Sequence, residues 1–282
     1  MGTGPKRKTR IQPGLSPEEP VVRSNPEKRG RLLVGTSGWS YDDWIGRFYP
    51  EGLDRKDWLG VYARQFPAVE LNVTFYRVPF ENMIRGWNRR APDGFVFAAK
   101  GNRVVTHRLR LREVEPEVSR FFERMQALRG LEVVLWQLPP SLRCDAGLLE
   151  AFLQVLPTGW RRAIEFRHRS WWEDPAVVRA LSRHNSAFCG VSHPRLPAAT
   201  PRTADFTYVR FHGLGPRLYD YEYSETELHE WVGRTVEDLA DGRDAYVFFN
   251  NDFRANAVQN ARMFRRLVLE RLGDRSTAAC DP

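Results

Sequence analysis

Glu70, Lys100, Glu165, Arg210 and His212 each close a short apolar run in this 282-residue chain, and they are residue types that proton transfer or anion binding requires. In AVELNVTFYRVP, residues 68 to 79, strand alternation turns Glu70 and Asn72 to one face and Val69, Leu71 and Val73 to the other. A buried carboxylate without a partner costs on the order of several kcal/mol, so Glu70 needs a counter-charge or a task. IEFRHRSW repeats the pattern with Glu165 and Arg167 opposite Phe166, and YVRFHG repeats it with Arg210 and His212 opposite Val209 and Phe211. Acids and bases thus share one face, and their apolar neighbours suit an outer helix layer.

Lysine usage singles out one more position. The chain has 38 Arg and five Lys, and beyond Lys56 the one lysine is Lys100, after FVFAA. A lysine ammonium is compact and its pKa falls readily on burial, whereas arginine stays charged. Lys100 is read as an acid/base group, an anion clamp, or the structural counter-ion of Glu70 or Glu165. The chemistry expected of Glu70, Lys100, Glu165 and His212 is general acid/base or nucleophilic attack on a glycosidic or phosphoester bond, with Glu165 as base or nucleophile and Glu70 and Lys100 tuning it. A divalent metal on Glu70, Glu165, His107, His168, His212 and Asp252 is the competing use. No HxH or HxxxH spacing supports it, and Lys100 opposes it. No organic cofactor is expected, since GxxxxGK[ST] and GxGxxG are both absent.

The ligand class comes from the loops. KGNRVVTHRLRLR carries Lys100, Arg103, Arg108, Arg110 and Arg112 without an acid, which suits phosphate. Trp39, Tyr41, Trp44, Phe75, Tyr76, Trp171, Trp172, Tyr219, Tyr221 and Tyr223 interleave as rings able to stack on a sugar or base, or to pack the loops together. The expected partner is an anionic small molecule or a nucleic acid.

These side chains need a scaffold that brings strand ends together. RLLVGTS, AVELNVT, GFVFAAK, LEVVLWQL, RRAIEFR, SAFCGVS, TYVRFHG and AYVFFNN read as eight short strands. Amphipathic segments lie between most of them, with a weak one near 194 to 205, and ANAVQNARMFRRLVLERL closes the chain as a helix. Eight such units predict a single α/β domain, a (β/α)8 TIM barrel over 31–273, in preference to a doubly wound sheet. Residues 1–30 are basic and Pro-rich, and 274–282 form a short tail; both are expected to be disordered. Residues 1 to 31 hold eight Lys/Arg against three Asp/Glu, so most of the net charge of +8 belongs to that leader. No apolar run approaches the ~18 residues of a membrane span, no signal-peptide core is present, and the three cysteines form no CxxC pair. A cytoplasmic protein with no membrane partner is expected.

The segments GTSGWSYDDWIGRFYP, VELNVTFYRVP, FVFAAK, WQLPPS, IEFRHRSW, YVRFHG, YSETELHEW and YVFFNNDFRANAVQNA resemble the YecE-like family, domain of unknown function 72, colinearly from about residue 32 to 270. The resemblance implies a TIM barrel and a site but no reaction. It maps Trp39, Glu70, Asn72, Tyr76, Lys100, His107, Gln137, Glu165, Arg167, His168, Trp171, Arg210, His212, Asn250, Asn251 and Asp252 onto family motifs. Similar proteins carry an Asp just after the sixth strand, where this chain reads GVSHPRLP. The expected binding set is therefore Trp39, Asn72, Tyr76, Arg103, His107, Gln137, Arg167, His168, Trp171, Arg210, Tyr223, Asn250, Asn251 and Asp252, around the four residues expected to do chemistry. The leading expectation is a hydrolase acting on an anionic sugar-containing substrate; a non-catalytic nucleic-acid-binding barrel is the alternative.

Overall fold

The structure, a computed structural model, describes residue 1 and residues 29–198 and 200–278. The disordered leader expected over 1–30 lies almost wholly outside the described residues, as do 279–282.

The strands are β1 (Leu32–Thr36), β2 (Ala68–Leu71), β3 (Val96–Lys100), β4 (Leu131–Gln137), β5 (Arg161–Glu165), β6 (Ser186–Phe188), β7 (Gly190–Ser192), β8 (Phe206–Phe211) and β9 (Asp244–Phe249). All pair in parallel, in the orders β1-β9-β8-β7 and β2-β3-β4-β5-β6. The two sheets meet at both seams. β6 and β7 are one run broken at Cys189, whose backbone N–H still donates to Ile164 at 2.9 Å, and β1 meets β2 through a parallel bridge between Ser37 and Glu70. The expected eight strands are thus present, the sixth in two pieces.

Helices α1 (Trp58–Ala63), α2 (Val73–Tyr76), α3 (Glu81–Arg90), α4 (Glu115–Met125), α5 (Ala146–Val155), α6 (Pro175–Arg183), α7 (Glu225–Ala240) and α8 (Asn256–Ala278) occupy most of the crossovers. Their starts follow local chemistry: Asp145 and Asp174 accept from backbone N–H groups at the heads of α5 and α6, and Ser224 with Glu227 forms a capping box on α7. One expectation is revised: the 194–205 segment forms no helix among its described residues. Helix α8 continues to Ala278.

Alternation divides the core into two layers. Leu71, Phe166, Val209 and Phe211 join the layer between strands and helices, as the spacing predicts. The inner layer sets the small side chains Ala68, Ala98, Ala163 and Ala187 against the bulky Phe206, Tyr208, Tyr246 and Phe248 of β8 and β9. Large rings from one arc fill the space that small residues leave on the other, so the barrel is packed and not a pore. Arg31, Glu132, Arg161 and Asp244 close its N-terminal end as an ion cluster, with Arg31 at 2.7 Å from Glu132 and Arg161 at 2.7 Å from Asp244. The opposite end is left to the polar strand termini.

Candidate functional site

Arg210, on β8, bridges the two buried carboxylates. One of its Nη atoms lies 2.7 Å from Glu70 Oε1 and the other 2.6 Å from Glu165 Oε2, and all three side chains are buried. Ser37 Oγ donates to Glu70 Oε1 at 2.7 Å, and the Tyr208 hydroxyl donates to Oε2 at 2.6 Å. Arg167 donates to Glu165 Oε1. Each carboxylate therefore has charge-assisted donors, as burial demands. Burial alone would raise Glu165, yet the charges of Arg167 and Arg210 hold it well below the usual carboxylate range. An acid so firmly ionised and enclosed is a weak base with no approach for substrate.

His212 is kept neutral by burial and by the charge of Arg167, against the pull of Glu165. Arg167 Nη2 lies 2.9 Å from His212 Nε2, and since a guanidinium only donates, Nε2 accepts and Nδ1 holds the proton. The Asn250 amide nitrogen lies 3.1 Å from Nδ1 on the other side of the ring. His212, like Glu165, orients its neighbours from within.

Above this network lies a cavity of about 340 Å³ lined by Tyr41, Asn72, Tyr76, Lys100, Arg210, Tyr219, Asn250, Asp252 and Phe253. Lys100 ends β3 and places Nζ 4.1 Å from the centre of the Phe75 ring, which α2 presents. Among the described residues no carboxylate comes within ion-pair distance of it, because Arg210 has taken both; the counter-ion reading of Lys100 is corrected accordingly. Burial lowers Lys100 to about 8, helped by the Arg210 charge and opposed by Glu165 and Glu70. Across the cavity, burial raises Asp252 to about 6, with Asp43 adding to the rise and the Tyr41 hydroxyl opposing it. Gly101 follows Lys100 where a Cβ would meet the Trp136 ring at 2.2 Å, so only glycine lets the chain leave the strand there.

The remaining expected residues divide. Asn72, Tyr76, Lys100, Arg210, Asn250 and Asp252 reach the cavity, and Arg167 stands behind it. Arg103 stacks on Tyr76 at 5.9 Å, and His107 packs edge-on against Phe75, its pKa lowered first by burial and then by Lys100, Arg103 and Arg110. Both sit on the rim. Gln137 ends β4 and donates to the Leu138 carbonyl. Trp39 faces a neighbouring groove of about 550 Å³ with Trp87, which shares Tyr41 and Asn72 with the cavity. Four expected ligand contacts go elsewhere. Trp171 is buried against Phe166 with its indole N–H on Leu142, and the Tyr223 hydroxyl accepts from the Gly213 N–H and shares a hydrogen bond with the Ser192 hydroxyl. Asn251 ties Tyr221 to Asn260, and His168 caps its own turn on Ser170. Their motif positions fix loops, which is packing work. Tyr208 and Phe253 were missed. Tyr208 lies two residues before Arg210 and so on its face, a signal the alternation already carried; nothing in the sequence marks Phe253. The metal reading is not favoured either: Arg210 separates Glu70 from Glu165, and the described residues contain no group of three or more His, Cys, Asp or Glu able to hold an ion.

Comparison with known proteins adds a lineage. Residues 33–279 match the family described as "Protein of unknown function DUF72". The UPF0759 protein YunF of Bacillus subtilis is 25% identical over 275 residues, covering 84% of this chain and 94% of YunF. A DUF72 family protein from Thermotoga maritima superimposes with a TM-score of 0.76 at 33% identity, covering 84% of this chain and 99% of that one. A xylose isomerase-like TIM barrel/4-hydroxyphenylpyruvate dioxygenase fusion protein shares the fold alone, with a TM-score of 0.50 at 15% identity over 89% of this chain and 45% of that one.

Proposed function

Because this chain belongs to the DUF72 family, whose description names no activity, its function is read from the cavity, and we propose that it is an enzyme acting by general acid/base chemistry on a small anionic sugar such as a phosphorylated sugar. The observation that carries the reading is the presence of Lys100, near 8, and Asp252, near 6, in the lining of one cavity. At pH 7 the lysine is mostly protonated and the aspartate mostly ionised, so the first can act as acid and the second as base without rare protonation states. Arg210 lines the cavity with its Nε–H unpartnered among the described residues, and Tyr41, Tyr76, Tyr219 and Phe253 supply walls for a sugar ring. A volume of about 340 Å³ fits a monosaccharide phosphate better than a polymer. Hydrolysis of a phosphoester or glycosidic bond is the reaction this reading favours, with Glu70 and Glu165 holding Arg210 in place of attacking. A cytoplasmic location belongs to the same proposal; no helix among the described residues is long and apolar enough to cross a membrane.

The test is a screen of phosphorylated sugars followed by a pH profile on any substrate turned over. A bell with limbs near 6 and 8 is expected, the acid limb lost in Asp252→Asn and the alkaline limb in Lys100→Met. A profile that keeps both limbs in both variants refutes the assignment. Nucleic-acid binding is the second reading. It rests on Arg103 and Arg108, which are exposed and make no ion pair among the described residues.

A further inference from the structure

Lys100 departs from the usual state of a buried lysine. It lines a cavity, its nitrogen rests on the face of Phe75, and the two nearest acids are committed to Arg210. A strongly hydrated ammonium gains little from such surroundings beyond the ring, while the adjacent guanidinium repels it, so the free amine is far more accessible here than in an exposed lysine. An amine made neutral and held at a cavity wall is a nucleophile toward carbonyl carbon. Asp252, able to exchange a proton near neutrality, lines the same cavity, as does the Arg210 guanidinium, whose Nη atoms hold Glu70 and Glu165 and whose Nε–H has no partner among the described residues and so remains for an anionic tail.

We propose that Lys100 captures the open-chain carbonyl of a small sugar phosphate as an iminium, with Arg210 holding the phosphate and Asp252 carrying the protons. The Nζ lone pair adds to the carbonyl carbon, and the carbon–oxygen π pair moves to oxygen, which takes a proton. Nitrogen then gives up a proton to Asp252, leaving a neutral carbinolamine. Asp252 returns that proton to the hydroxyl, which departs as water while the nitrogen lone pair forms the carbon–nitrogen double bond. The net change is amine plus carbonyl plus one proton to iminium plus water, with no oxidant or reductant. The step rests on the cavity's binding a small anionic sugar, but it goes beyond acid/base hydrolysis, which needs no covalent link to Lys100.

The sequence makes the test clean, since the chain has five lysines and Lys56 serves as an exposed internal reference paired with Asp54. The intact protein is incubated at pH 8 with dihydroxyacetone phosphate and sodium cyanoborohydride, which reduces an iminium to a stable secondary amine, and the adduct is mapped by peptide mass spectrometry. Lys100 should be modified at least about 100-fold faster than Lys56, because about half of it and under ~0.3% of Lys56 is neutral there. Neutral dihydroxyacetone should react at least tenfold more slowly than the phosphate, and Lys100→Met should carry no adduct in the cavity. Modification of Lys100 no faster than Lys56, or equal rates with the neutral probe, overturns the inference. A calorimetric titration of Lys100→Met with the same phosphate separates the two proposals. Retained binding without any adduct in the wild type removes the iminium and leaves the acid/base site standing. Absence of binding in the wild type removes both.

Discussion

Lys100→Met should make the protein more stable at neutral pH, which is the reverse of what loss of a structural counter-ion would do. Lys100 is held at about 8 in the fold against an ordinary 10.5. Between those values the unfolded chain keeps a proton that the folded chain has released, so stability rises with pH across that window and the cost of the buried ammonium is carried in full below it. At pH 7 the difference amounts to about 3 kcal/mol, at ~1.4 kcal/mol per tenfold. Loss of the contact with Phe75, at 4.1 Å, offsets about 1 kcal/mol of that. Met keeps most of the stem's volume, so the net expectation is a gain of about 1–3 kcal/mol at pH 7 that vanishes by about pH 10.5. Urea unfolding of both proteins at pH 7, 8.5 and 10 measures it, and subtracting one curve from the other cancels the titration of the tyrosines. If Lys100 instead neutralised Glu70 or Glu165, Met would cost about 3–5 kcal/mol at every pH. A less stable variant at pH 7, or a difference that does not change with pH, refutes the argument.

Arg210→Met should be strongly destabilising, by about 3–5 kcal/mol or enough to prevent folding, because it leaves two buried carboxylates without their shared cation; a loss below about 1 kcal/mol in urea would show that Glu70 and Glu165 find other partners. Tyr208→Phe removes the one hydroxyl that donates to Glu70 Oε2 and should cost about 1–3 kcal/mol, read from the same unfolding curves. His212 is held neutral, so below about pH 6.5 the unfolded chain takes up a proton that the fold refuses and stability falls as pH drops; His212→Asn should flatten that limb, and an unchanged slope would place the acid sensitivity elsewhere. If Arg103, Arg108 and Arg110 serve a polyanion, changing all three to Ser should weaken heparin or DNA binding and reduce its salt slope, whereas unchanged affinity and slope would reduce that loop to a solvated face.

The order of elements and the faces of the strands were legible in the chain itself. A period-two pattern fixes which side of a strand is apolar regardless of what it packs against, so Glu70, Glu165 and Arg210 were inward by local chemistry, as Leu71, Phe166 and Phe211 were outward. The rarity of lysine marked Lys100 for the same reason: composition needs no fold. Partnership was decided by the tertiary structure alone. Arg210 lies 140 residues from Glu70 and 45 from Glu165, and barrel closure brings β8 to both of them, which displaced Lys100 from the counter-ion role and withdrew Glu165 from the role of base. The loop aromatics and amides show the same limit. Trp171, Tyr223 and Asn251 occupy motif positions that look much like those of Tyr76 and Asn250, and only packing turns the first three into the walls of the fold while leaving the other two open to the cavity. Side-chain type and local periodicity are properties of a short segment; burial, charge pairing and the pKa shifts that follow from them belong to neighbours that the segment does not contain.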